Sequence, residues 1–167
     1  MSWRPTLLFL LLAPTLTACV QKDPVWELPC EERPAREVIP GTGEDEFRSL
    51  DDNKAFIEFG DQGGAHIWFA VQMRGFGPNA SIEFGITDPA DPEVVYSGPL
   101  FESQKLKYDS GEEASLATGL FAFVYGYDET TMMESPDPSG KEVLFWAQVT
   151  DECTPEPVRG VAVGEVE

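Results

Sequence analysis

Imidazole is nearly missing from this chain, whose one histidine is His66. A Ser-His-Asp or Cys-His centre would have to be built on that residue. It stands at the mouth of a hairpin beside Gly63 and Gly64, where capping a turn or pairing with a carboxylate is its expected role. Thiols are almost as scarce, with only Cys19, Cys30 and Cys153. So few soft ligands make no tetrahedral zinc set, and the sequence assigns no catalytic residue, no metal ligand and no cofactor. Positive charge is short too: 11 basic side chains face 30 acidic ones, a formal net charge of −19. Such a body is repelled by nucleic acid, and the plainest use of its charge is solubility. A membrane-spanning run is also missing. Crossing takes roughly 20 apolar residues, whereas the run from Leu7 to Leu12 stops at Ala13-Pro14. Helical periodicity is lacking as well, since no stretch sustains apolar residues at i, i+3, i+4 and i+7 between caps. At most one turn of helix fits within Ser110 to Thr118.

What is present begins with the short apolar run. Arg4 supplies a positive start, Leu7 to Leu12 a short hydrophobic region, and Leu16-Thr17-Ala18-Cys19 a small-residue cleavage site ending in cysteine. This last stretch resembles the lipobox of bacterial lipoproteins. The resemblance implies that residues 1–18 are a cleaved signal peptide and that Cys19 carries fatty acyl chains such as palmitate. It further implies a lipid-anchored place in the bacterial cell envelope, with the membrane as a partner through the anchor. Val20, in place of an aspartate after the cysteine, implies the outer membrane, on its periplasmic or surface face. Removing 18 of the 167 residues leaves 149, enough for one domain with a sizeable core. The stretch from Gly60 to Ile67 is similar to one in acidic envelope lipoproteins of uncharacterised role and implies no activity.

With Cys19 acylated, Cys30 and Cys153 remain as an even pair. In an exported protein they are expected to form one disulfide. Residues 19–40 carry Pro24, Pro29, Pro34 and Pro40 among mixed charges, which predicts an extended tether. Trp26 and Leu28, within it, are placed to tuck onto the domain.

Residues 41–167 read as the body. Ala55, Ile57 and Phe59 alternate with polar neighbours, Asp61 to Gly64 supplies a turn, and Ile67, Phe69, Val71 and Met73 then line one face of a second strand. Ile82, Phe84 and Ile86 alternate in the same way. Two segments, Leu120 to Tyr127 and Val143 to Thr150, are apolar on both faces and belong at sheet centres, whereas the short runs between Val94 and Tyr108 suit edges. The expectation is an all-β fold, a single antiparallel β-sandwich of immunoglobulin-like type with about seven to eight strands. A small barrel is the alternative. The Cys, Trp, Cys spacing of antibody domains is absent, because Cys30 precedes the strands.

Two acidic chemistries are open. Calcium takes six to eight oxygens, and Glu44 to Glu46, Asp51 to Asn53, Asp88 with Asp91, and Asp109 with Glu112 and Glu113 offer carboxylates, but without the spacing that fixes ligands around one ion. Solvated loops are the default reading of those runs. Paired carboxylates for cleaving envelope glycans are available in number, though no pair stands out. The surface feature of most interest is aromatic: Trp68, Phe121, Tyr125 and Trp146 fall on faces opposite or adjacent to the main apolar alternation, suited to a sugar or a protein partner. The functional expectation is a non-catalytic binding or structural module with an unknown protein or glycan partner. Alternatives are a carboxylate-dependent hydrolase and a calcium-stabilised adhesin-like module.

Overall fold

The structure, a computed structural model, describes residues 27–167 apart from 52, 61–63, 126, 129–132 and 135; the side chains of 104, 105, 125, 127, 128, 133 and 134 also lie outside the description. Cys19, Trp26 and the signal segment are outside the described residues. After a 3-10 turn at Cys30–Glu32, the strands are β1 (Glu37–Thr42), β2 (Ile57–Phe59), β3 (Ala65–Arg74), β4 (Asn79–Thr87), β5 (Val95–Lys105) and β6 (Lys107–Asp109). They continue as β7 (Ala114–Tyr125), β8 (Tyr127–Asp128), β9 (Met133–Glu134), β10 (Glu142–Asp151) and β11 (Thr154–Glu165).

One sheet runs β1-β3-β7-β6 with β2 added to β3; the other runs β11-β10-β4-β5; β8 and β9 form a small ribbon. All these ladders are antiparallel. Lettering β1, β3, β4, β5, β6, β7, β10 and β11 as A, B, C, C′, D, E, F and G gives A-B-E-D against G-F-C-C′, the immunoglobulin arrangement. The sheets do not close, which sets aside the small barrel.

The core follows from period-two alternation. Ile67, Phe69, Val71 and Met73 of β3 are fully buried, as are Ile82 and Ile86 of β4 and Val143, Phe145 and Val149 of β10. Phe69 joins the sheets, its ring 4.8 Å from Phe84 and 5.5 Å from Phe145. Each such side chain contributes about 1.5–3 kcal/mol by leaving water.

Some boundaries differ from the reading of the sequence. β1 begins at Glu37, inside the stretch 19–40 expected to be tether, and includes Pro40, which pairs in register with Val71. An end strand is where a residue without an N–H is tolerated, so proline here does not break the sheet. Of the short runs after Val94, the first two fuse into the single edge strand β5, with Gly98-Pro99 inside it, and the last, near Tyr108, becomes the edge strand β6 of the other sheet. Ser110 to Glu113 is a turn, not helix, and β7 starts at Ala114. Leu28 is exposed and does not tuck onto the body.

The N-terminal segment is clamped at one end of the sandwich. Cys30 is bonded to Cys153 across 123 positions, and Cys153 lies in the turn between β10 and β11. The Arg33 guanidinium, 5 % exposed, reaches the wholly buried Asp151 carboxylate at 3.2 Å and Glu152 at 3.1 Å. Asp151 also accepts the amide N–H of Gly77 from the β3–β4 loop and that of Cys153. One buried carboxylate therefore ties together the leader, the β3–β4 loop and the last hairpin. These groups share an end with the β6–β7 turn, while the start of β3, the β4–β5 loop and Glu167 lie at the other.

Candidate aromatic docking face

Register decides which rings meet. His66 pairs with Phe123 and Trp68 with Phe121 across β3 and β7, so all four side chains emerge on the outer face of the first sheet. The Trp68 and Phe121 centroids are 4.4 Å apart, His66 is 4.8 Å from each of those two rings, and Phe121 stacks on Phe123 at 5.9 Å. Phe121 and Phe123 remain 46 % and 56 % exposed. Rings left half in water on a sheet are not needed for the core, and a contiguous group of them is a candidate interaction surface.

Polar contacts orient this cluster. The Trp68 Nε1–H donates to Glu58 Oε2 at 2.9 Å, holding the indole against β2. Its backbone carbonyl accepts from the Thr42 hydroxyl at 2.7 Å and the Gly43 N–H at 3.2 Å, while the Gly119 N–H donates to Gly43 O at 3.1 Å. The segment following β1 thus crosses over Ala70 and covers the middle of the sheet, leaving the aromatic half open. A shallow cleft beside Trp68 is lined by Glu44, Asp45, Glu46 and Glu58 together with Arg48 and Lys54. Both cations are engaged: Arg48 with Glu46 at 2.8 Å, and Lys54 with Glu165 and Glu167. The Glu167 and Glu165 carboxylates raise the Lys54 pKa above its usual value.

His66 is buried and packed against Trp68 and Phe121. Its Nε2 is closed off from water and, among the described residues, has no hydrogen-bond partner. Ring packing against Trp68 and Phe121 stands where a turn cap or a carboxylate partner is expected.

Of the four aromatic residues singled out in the sequence, Trp68 and Phe121 are brought together and Trp146 is not. Trp146 sits on the outer face of the second sheet, opposite Gly85 in register, where any Cβ would collide with its ring. Arg159 lies 5.6 Å over that ring, which is buried. Tyr125 closes β7, and its side chain lies outside the described residues. Phe123 and Glu58 were not singled out in the sequence, although the alternation that marked Phe121 marks Phe123 equally.

The acidic loops have structural roles. Asp88 accepts the N–H groups of Ala90 and Asp91 and the Tyr96 hydroxyl. These bonds, led by that from Ala90, hold its carboxyl below the ordinary range despite partial desolvation. Asp109 caps its own turn through Gly111 and Glu112. Asp151, Glu152 and Cys153 approach within 4.8 Å of one another, but the thiol is spent in the disulfide and Asp151 in its ion pair. No protein-family model, curated protein or solved structure matches this chain.

Proposed function

We propose that this chain is a lipid-tethered, non-catalytic binding module of the bacterial cell envelope, with a protein or glycan of that compartment as its partner. The observation that carries the reading is the placement of the half-exposed cluster of Trp68, Phe121 and Phe123 on one open sheet face, away from the end at which Cys30 brings the chain in. From Arg74 back to His66 the rise along β3 is roughly 25 Å. An anchor on Cys19 and an extended leader adding up to about 30 Å would therefore place the clamped end toward the bilayer and the rings outward. The lipobox supports the anchor, and the acidic body supports stand-off from anionic head groups.

The test is purification from envelope membranes in mild detergent. The N-terminal peptide should begin at Cys19 with added diacylglyceryl mass, and the protein should elute with a partner. The double variant Phe121→Ser/Phe123→Ser, altered at exposed positions, should keep its Tm within a few degrees and elute alone. An unacylated N-terminus removes the tether from the proposal. Persistence of the complex in the double variant removes the face.

A further inference from the structure

The half of β7 that carries these rings is also a sheet edge. β6 pairs only with Ala114 to Leu116, so from Ala117 to Tyr125 β7 is held by β3 on one side and, among the described residues, has no strand on the other. Such an edge, apart from the Gly119 N–H that Gly43 O accepts, offers a row of N–H and C=O groups to any extended chain, and folded proteins ordinarily blunt it with proline or charge. The other long edges follow that rule: Pro40 lies in β1, Pro99 in β5, and Pro155, Pro157 and Arg159 in β11. The open part of β7 reads Ala-Thr-Gly-Leu-Phe-Ala-Phe-Val-Tyr, without proline or any charged residue. Left bare, an apolar strand of that kind invites aggregation. A groove of about 410 Å³ runs beside it toward β5, lined by Leu100, Phe101, Glu102, Thr118, Phe121 and Phe123 among others.

We propose that this edge receives an extended segment of a basic partner polypeptide as an added strand, a mode in which main-chain hydrogen bonds bind and alternate side chains select. The inference deepens the reading of the module as a binding domain and rests on it. Charge selects the occupant. Glu102 lines the groove on one side of the rings, and on the other Glu44, Asp45, Glu46 and Glu58 outnumber Arg48 and Lys54 in the cleft beside Trp68. A second copy would bring its own formal charge of −19 against the first, and a glycan has no main chain to extend the ladder. In a strand laid on β7, one set of side chains falls beside Phe121 and Phe123 and the alternate set turns toward Glu102. The fitting sequence therefore alternates apolar and basic residues.

The probe is a ten-residue peptide alternating lysine and valine, titrated into the purified protein by fluorescence anisotropy and by amide NMR. Binding should shift the amides of Thr118 to Val124 and weaken several-fold in 0.5 M salt. Phe123→Lys should weaken it about tenfold, and Glu102→Lys about threefold, both at unchanged Tm. A glutamate–valine peptide and a lysine–valine peptide interrupted by prolines should not bind. Equal binding of the acidic peptide, shifts away from β7, or indifference to both variants overturns the proposal. So does a concentration-dependent dimer through β7, or a chito-oligosaccharide that moves the same amides while the basic peptide does not. If the native complex is lost in the Phe121→Ser/Phe123→Ser variant while the basic peptide fails to bind, the face stands and the added-strand reading falls. If the native complex survives that variant, the binding-face reading itself falls.

Discussion

Replacing Cys30 and Cys153 by serine removes a crosslink that closes 123 positions of chain. In the chain-entropy account, freeing a loop of that length lowers stability by about 5 kcal/mol at 25 °C through the unfolded ensemble. The folded side should change little. Arg33, Asp151 and the Gly77 amide already hold the leader against the β10–β11 turn, and serine preserves the size of each side chain. Against a total stability of about 5–15 kcal/mol, such a loss would leave a domain folded but marginal. With a urea m-value of about 2 kcal/mol/M, the unfolding midpoint should fall by roughly 2–2.5 M. Wild-type protein unfolded in the presence of reductant should match the variant. A midpoint shift below about 0.5 M in both would refute the reasoning and locate the stability of the clamp in the ion pair.

Asp151→Ala takes from the largely buried Arg33 guanidinium its one buried carboxylate, with Glu152 still in reach, and from the Gly77 and Cys153 amides their acceptor, and equilibrium unfolding should show a loss of about 3 kcal/mol. Gly160→Ala would drive a Cβ into the carbonyl oxygen of Val38, where β11 crosses β1; a loss of about 3 kcal/mol by urea titration is expected, from backbone that cannot yield. The Asp88 carboxyl is depressed in the fold, so its contribution is present above the ordinary carboxylate range and is lost as pH falls through the lower, folded value. Tm measured between pH 5 and pH 2 should therefore fall less steeply for Asp88→Asn than for wild type, and an unchanged slope would contradict the role given to its bonds with Ala90 and Asp91.

Much of the sandwich is legible in the sequence because β3, β4 and β10 alternate cleanly. Ile67, Phe69, Val71 and Met73 announce an inner face before any coordinates are known, and all are fully buried. β1 is concealed because Pro40 and Gly41 read as breakers, and only its position at a sheet edge makes them harmless. Alternation tells which residues share a face of one strand but not which sheet the strand joins. Trp68 and Trp146 therefore look equivalent in sequence and lie on opposite sides of the molecule. The clamp is invisible for another reason: Arg33 and Asp151 meet across 118 positions, and nothing local marks either as a partner. The bare stretch of β7 is readable as an uncharged apolar run, but that it lacks a neighbouring strand follows only from β6 ending its pairing at Leu116.

A binding module of the proposed kind has the ring-bearing half of β7 occupied in the envelope. A photo-reactive amino acid placed at position 123 in living cells, with position 163 on the outer face of the other sheet as control, reads this directly. Illumination should give a discrete adduct from 123 and none from 163. Equal labelling from both positions, or none from 123, would contradict it.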